Sequence, residues 1–269
     1  MAEPGGRRAL ARRQLAWLVE SGADEALGAD ARDRFAPAPR IQPAPAPPPA
    51  APEPRVRPAP PALASTAALI ERARETAEAA ATVADLAREV AAFDGCALSR
   101  TAKTTVFADG NPAADLMLIG EAPGAEEDRR GLPFVGAAGQ LLDRMLAAIG
   151  RDRGSAYITN MVYWRPPGNR NPTTEEMALC RPFVDRHIAL VQPQVLVCLG
   201  AISAKSLLAR NDGITRLRGR WFEVQPAGLD RPVATIAIFH PAFLLRQPSQ
   251  KRLAWRDLQA IRQRLTPTT

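Results

Sequence analysis

The sequence predicts an α/β protein in which helices cover both faces of a parallel sheet. Four apolar runs have the length of buried strands, at 115–119, 157–163, 195–199 and 233–239. The first three runs are each followed by a loop and a helical pattern, at 137–149, 174–190 and 201–209. Apolar strands that alternate with helices are typical of parallel sheets that are buried on both faces. A basic helix is predicted near 249–264 to close the chain.

Three segments precede this core. Residues 1–35 contain a helical pattern, and residues 36–62 form an Ala/Pro-rich linker that is expected to be an extended tether. Within residues 63–94, one alanine-rich helix is predicted from Ser65, a suitable N-cap, to about Phe93. Residues 95–266 are predicted to form the globular domain.

Composition limits the possible functions without choosing one. The 269 residues include 35 Lys and Arg against 28 Asp and Glu, and the net charge is +7. This surplus is compatible with a polyanionic partner but does not establish one. No apolar run is long enough to span a membrane, so no membrane partner is expected. Three widely spaced cysteines argue against a disulfide framework and predict a cytoplasmic protein, which we expect to be a monomer.

Unusual side chains stand where the predicted strands end. Glu121 directly follows the first strand, Asn160 lies within the second, and His240 ends the last. Ligands of parallel sheets bind beyond the carboxyl ends of the strands, so these residues predict one site at one edge. Glu121 could position or activate water there, or it could be a solvated carboxylate in a tight turn. His240 could act at that edge or be structural, and His187 is predicted to be a surface or packing residue.

Other residues near this edge also have two interpretations. Phe134 could stack on a planar ligand or anchor its loop by local packing. Asn160 offers one donor and one acceptor, which could read a ligand or form an interior hydrogen bond. The stretch that contains Leu244, Leu245 and Arg246 could be a wedge that enters a nucleic-acid duplex, or the buried start of the last helix.

The order of these motifs is more informative than any one of them. The segments "GEAPGAEEDRRGLPFVGAAGQLLDRML", "YITNMVYWRPPGNRNPTTEEMALCRP", "VLVCLG" and "HPAFLLRQP" together resemble the family four uracil-DNA glycosylases across residues 95–262. The resemblance implies a three-layer α/β/α sandwich around a four-stranded parallel sheet. It also implies hydrolysis of the N-glycosidic bond of deoxyuridine in single- or double-stranded DNA, which leaves an abasic site.

The resemblance also assigns roles to individual residues. Glu121 corresponds to the carboxylate that places or activates water, and His240 to the residue that stabilises charge on uracil O2. The implied base contacts are the Ala122 amide at O2, Glu127 near C5, Phe134 stacked on the base and Asn160 at N3–H and O4. Asn169 would support the pocket mouth, and Leu244, Leu245 and Arg246 would form the loop that enters the minor groove.

One departure from the family concerns its four-cysteine [4Fe–4S] cluster. Only Cys96 and Cys180 stand at ligand positions, whereas Phe93 and Trp164 replace the other two cysteines. Two thiolates cannot hold a four-iron cluster in the usual way, so we expect that the cluster is lost and that no cofactor is needed.

Two alternatives remain open at this point. The protein could be a slow or non-catalytic binder of uracil-containing or abasic DNA with the same fold. The N-terminal helical segment and the Pro-rich linker could also recruit a protein partner, which would add to the enzyme function without replacing it.

Overall fold

The computed structural model of the protein describes residues 65–266. The predicted N-terminal helical segment and the whole Ala/Pro-rich linker therefore lie outside the described residues. Within them, no helix is both long and apolar enough to cross a membrane.

Two helices replace the single alanine-rich helix that the sequence predicts. Helix α1 spans Thr66–Ala79, and the Ser65 hydroxyl caps it by accepting a hydrogen bond from the Ala68 amide at 3.3 Å. The chain then becomes extended at Ala80, and α2 spans Val83–Ala92. Thr82 and Asp85 form a reciprocal capping box that starts α2. This local start signal interrupts a segment whose alanine content alone predicts a continuous helix.

The remaining elements alternate between strands and helices. In chain order they are β1 (Ala108–Gly110), β2 (Leu116–Gly120), α3 (Ala125–Arg130), α4 (Ala137–Ala147), β3 (Tyr157–Asn160), α5 (Thr174–Val191), β4 (Val195–Leu199), α6 (Ala201–Leu208), α7 (Ile214–Leu217), β5 (Trp221–Val224), β6 (Val233–Ile238), α8 (Pro241–Arg246) and α9 (Lys251–Leu265). Short 3₁₀ turns lie at Ala97–Arg100, Pro167–Asn169 and Pro248–Gln250.

The sheet has six strands in the order β1-β3-β2-β4-β6-β5. Its four central strands are parallel, which confirms the four strands that the sequence predicts. The count of four is too low, because β1 and β5 add antiparallel edges. β1 is only three residues long and β5 is mostly half-buried, so neither shows the long apolar run that marks a central strand.

Helices cover both faces of the sheet, which confirms the three-layer architecture. Alternate residues of β2 point to opposite faces, as the pleat of a strand requires. Met117 and Ile119 belong to a core that includes side chains of α1, α2 and α5. Leu116 and Leu118 belong to a second core that includes side chains of α4 and α9.

The parallel arrangement brings the carboxyl ends of β2, β3, β4 and β6 to one edge. The register pairs Gly120 at the end of β2 with Asn160 at the end of β3. Loops that leave these strands therefore begin side by side, and this places the functional site.

Candidate active site

A cavity of about 510 Å³ lies at the carboxyl edge of the sheet. Its walls come from the segments that follow β2, β3 and β6. Eight of the residues singled out from the sequence line it: Glu121, Ala122, Glu127, Phe134, Asn160, Asn169, His240 and Arg246. The structure therefore brings these residues together at one edge of the sheet, where the sequence places them.

Asn160 provides the polar centre of the cavity. Its side chain is 2 % exposed, and Oδ1 is the one buried side-chain nitrogen or oxygen within residues 65–266 that lacks a hydrogen-bond partner. A buried acceptor without a donor is unfavourable by about 1–3 kcal/mol. The neighbouring strand must carry Gly120, because a Cβ there would lie 2.3 Å from Oδ1 and 2.6 Å from Cζ of Phe134. The arrangement leaves an acceptor available to a ligand.

Glu121 is the first residue after β2. Hydrogen bonding between the β2 and β3 segments continues past the end of β2, because the Glu121 carbonyl accepts a hydrogen bond from the Val162 amide at 3.2 Å. Its side chain is half-buried, and desolvation raises the pKa of the carboxyl. A carboxylate with a raised pKa is a stronger base than one in water, which suits it to accept a proton.

Phe134 forms an aromatic wall beside His240, with ring centroids 5.6 Å apart. It is 6 % exposed and has a φ of +55°, a conformation that L-residues rarely adopt. Arg153 stabilises this turn by donating to the carbonyl oxygens of Pro133, at 3.1 Å, and of Phe134. The Phe134 carbonyl also packs on α4, where a Cβ at Gly139 would lie 1.6 Å from its oxygen.

Glu127 also stabilises the loop that carries Phe134, a role that the sequence did not indicate. Its Oε1 accepts hydrogen bonds from the amides of Val135, at 3.0 Å, and Gly136, at 2.9 Å. These amides directly follow Phe134 in the chain. Glu127 therefore lines the cavity, as expected, and also fixes the loop that carries the aromatic wall.

His240 links the end of β6 to α8. The Ala242 amide donates to Nδ1 at 3.1 Å, so the proton of the neutral ring is on Nε2. His240 is partly exposed at the cavity, but the surrounding protein desolvates its ring. Desolvation and the Arg246 cation lower the pKa to about 4, and Glu127 opposes this shift. Near pH 7 the ring is neutral, and Nε2–H makes no hydrogen bond within residues 65–266.

Asn169 lies at the cavity mouth, as expected, with a φ of +54°. Its Oδ1 accepts from Nε of Arg165 at 2.7 Å. Arg165 is 3.9 Å from the buried carboxylate of Asp128, which also accepts from the amides of Lys103 and Thr104. Sequence reasoning missed Asp128 and Arg165, because only the folded chain brings these distant positions together.

The predicted wedge needs a correction. Leu244 is 1 % exposed and packs in the core with α4 and α9, so it cannot be presented to a duplex in this conformation. Its successor Leu245 is 39 % exposed, and Arg246 lines the cavity. The six-residue helix α8 turns successive side chains to different sides, which the two adjacent leucines do not indicate. Of the two leucines, only Leu245 is available at the surface to contact DNA.

The predicted cluster positions lie in the core, away from the cavity lining. Cys96 and Cys180 are buried, and a hydrogen bond from Cys180 lowers the pKa of Cys96. Phe93 packs edge-to-face on Phe183 with ring centroids 5.0 Å apart. The Trp164 indole donates to the Thr105 hydroxyl at 3.0 Å.

The chain is similar to one known protein family and to several of its members. The family model described as the uracil DNA glycosylase superfamily matches residues 107–259. The type-4 uracil-DNA glycosylase of Archaeoglobus fulgidus is 40% identical over 181 residues, which are 66% of this chain and 90% of the relative. Type-4 enzymes of Pyrobaculum aerophilum and Thermotoga maritima are 39% and 37% identical, each over 61% of this chain, and over 85% and 84% of their own lengths.

Proposed function

The chain belongs to the uracil-DNA glycosylase superfamily, and from this premise we propose that it hydrolyses the N-glycosidic bond of deoxyuridine in DNA. The products are free uracil and an abasic site. The observation that carries this proposal is the buried, unpartnered Oδ1 of Asn160 inside a cavity that also holds Glu121, Phe134 and His240.

Base recognition follows from the donors and acceptors of the cavity. Oδ1 of Asn160 accepts from uracil N3–H, and its amide nitrogen donates to O4. Cytosine presents the reverse pattern at these two positions and would leave both groups of Asn160 unsatisfied. Phe134 stacks on the flipped base, the Ala122 amide donates to O2, and Glu127 lies near C5, where it excludes a methyl group.

The reaction begins after the target base has been flipped out of the duplex. Flipping costs on the order of a few kcal/mol. As the bond between C1′ and N1 breaks, negative charge develops on uracil O2. The neutral His240 ring donates its Nε2–H to that oxygen, and this interaction strengthens in the transition state. Glu121 stabilises the positive charge on the sugar and accepts a proton from the water that adds to C1′.

The residues present do not fit an iron–sulfur cluster, and we propose that it is lost. A cluster of this kind requires four cysteine ligands. Here Phe93 and Trp164 fill two of the positions with packed aromatic rings. Within residues 65–266, no group of three or more His, Cys, Asp or Glu side chains is arranged to hold a metal ion. Iron and sulfide analysis of anaerobically purified protein tests this, and a stoichiometric cluster would overturn it.

A cleavage assay tests the activity and its residues together. A labelled oligonucleotide with one uracil, either single-stranded or opposite G or A, is incubated with enzyme and then treated with alkali. Strand breaks that require uracil and that decrease in Glu121→Gln, Asn160→Ala and His240→Ala support the proposal. Retention of uracil-containing or abasic DNA in a gel without strand breaks would identify a damage binder instead.

We propose further that the enzyme acts in the cytoplasm as a monomer and that residues 1–62 recruit a protein partner. The three cysteines, none of which forms a disulfide, support a reducing compartment. The length and proline content of the linker support a tether. Deletion of residues 1–62 should leave cleavage of short oligonucleotides unchanged.

A further inference from the structure

Basic side chains are unevenly distributed over the described part of the chain. Residues 201–266 contain 12 Lys and Arg against 4 Asp and Glu, whereas residues 65–200 contain 14 against 17. The positive surplus thus lies in the last third of the fold, which contains the loop after β6 and the final helix α9. A surplus confined to one region indicates where a polyanion would bind.

Helix α9 presents a basic face with an exposed aromatic ring. Ala254, Leu258 and Ile261 are buried against the sheet. Lys251, Arg252, Trp255 and Arg256 point outward, and we call these four residues the α9 face. Trp255 is 39 % exposed. Arg252 lies three positions before Trp255 and four positions before Arg256, so it neighbours both on the helix surface.

The cations of the α9 face make no ion pair within residues 65–266. Arginines elsewhere in the fold are often paired, such as Arg151 with Asp115 at 2.7 Å and Arg181 with Asp185 at 2.8 Å. The single acidic residue of α9, Asp257, is buried and pairs with Arg218. The charge of the α9 face is therefore available to an external anion.

The start of α9 follows the cavity wall closely along the chain. Arg246 lines the cavity, and only Gln247 and the 3₁₀ turn Pro248–Gln250 separate it from Lys251, the first residue of α9. The far end of α9 reaches the opposite edge of the sheet, where Gln194, just before β4, donates to the Arg264 carbonyl at 3.4 Å. At about 1.5 Å per residue, Trp255 lies roughly 6 Å along the helix from Lys251. It therefore belongs to the half of α9 nearer the cavity.

We propose that the α9 face binds the DNA strand beside the flipped nucleotide, with an unpaired base stacked on Trp255 and phosphates bound by its three cations. An aromatic ring among cations is typical of single-strand binding, because a duplex keeps the faces of its bases covered. This inference rests on the proposed function, and it predicts tighter binding of single-stranded than of fully paired DNA.

The test measures binding to DNA that contains no uracil, by fluorescence anisotropy of a labelled single-stranded oligonucleotide and of a closed hairpin duplex. Trp255→Ala should weaken single-strand binding about tenfold and hairpin binding much less, and Trp255→Phe should restore most of the loss. Arg252→Gln with Arg256→Gln should reduce the single-strand salt slope by about 1.4. The control with the same charge change is Arg100→Gln with Lys205→Gln. Arg100 ends the 3₁₀ turn Ala97–Arg100, Lys205 lies on α6, and both are exposed and outside the cavity lining, so this pair should leave the salt slope near wild type.

Two outcomes would overturn the inference. In the first, Trp255→Ala leaves single-strand binding unchanged or weakens binding to both DNA forms equally. In the second, the control pair changes the salt slope as much as the α9 pair. Because the DNA contains no uracil, these results do not depend on catalysis. Failure of the proposed function would appear separately, as wild-type protein that does not cut uracil-containing DNA.

Discussion

The two histidines of the chain have similar acidity but different surroundings. Burial lowers the pKa of His187 to about 3 and that of His240 to about 4. Both ring nitrogens of His187 meet tyrosine hydroxyls, Nε2 that of Tyr157 at 2.9 Å and Nδ1 that of Tyr163 at 3.5 Å. His240 lines the cavity, and among residues 65–266 only its Nδ1 makes a hydrogen bond. A shifted pKa reports burial, whereas a hydrogen-bonding atom left open at a cavity indicates function.

The strongest test of this contrast is His240→Ala. We expect kcat for uracil release to fall about 10²–10³-fold, because the donor to uracil O2 is lost. The free energy of unfolding should change little, because only the cap of the short helix α8 is removed with the ring. Single-turnover cleavage and urea unfolding measure the two effects. A wild-type kcat in His240→Ala would contradict the view that His240 is functional and His187 structural.

The complementary substitution is His187→Ala. We expect it to lower the free energy of unfolding by about 3 kcal/mol, because it leaves a cavity and at least one buried tyrosine hydroxyl without its partner. The stacked ring of Phe107, 4.4 Å from His187, loses its neighbour as well. The kcat of the folded fraction should stay near wild type. A fall in kcat comparable to that of His240→Ala, in protein shown to be folded, would contradict this interpretation.

Acidification should lower the free energy of unfolding through His187. His187 has a pKa of about 3 when folded, below the usual value of 6.5, so between these pH values the unfolded state binds the extra proton. Stability is therefore full above about pH 6.5 and decreases as the pH falls, by about 2 kcal/mol at pH 5 from His187. His240 acts in the same direction. Urea unfolding at several pH values should show a shallower decrease for His187→Gln than for wild type.

The smallest predicted effect concerns the aromatic wall that faces His240. Glu127→Ala removes the acceptor for the amides of Val135 and Gly136, so we expect Phe134 to become mobile and KM to rise about fivefold to tenfold. Glu127→Gln retains an acceptor oxygen and should raise KM much less. Competition by free uracil measures the base site directly. New cleavage at thymine by Glu127→Ala, with unchanged KM, would favour exclusion of the methyl group over support of the loop.

Much of the site could be predicted from the sequence, because its residues lie in or next to apolar runs. Glu121 follows such a run, Asn160 lies within one and His240 ends another, and a parallel sheet brings the carboxyl ends of its strands together. For Leu244 the sequence left a wedge and a buried helix start as alternatives, and its burial favours the second. The sequence could not decide, because exposure within a short helix depends on what packs against it. His187 was predicted to be a surface or packing residue, and it is a packing residue. The sequence could not choose between the two, since the tyrosines that enclose His187 lie 24 and 30 positions earlier in the chain.

The sequence by itself determined the α/β architecture, the edge that carries the site and the family. These depend on local periodicity and on the order of motifs, which one chain displays directly. The tertiary structure decided which polar atoms have hydrogen-bond partners. Within the described residues, Oδ1 of Asn160 and Nε2 of His240 have none, whereas Glu127 and His187 are hydrogen-bonded. Hydrogen bonding of this kind joins residues that are far apart in sequence, so only the packed chain determines it.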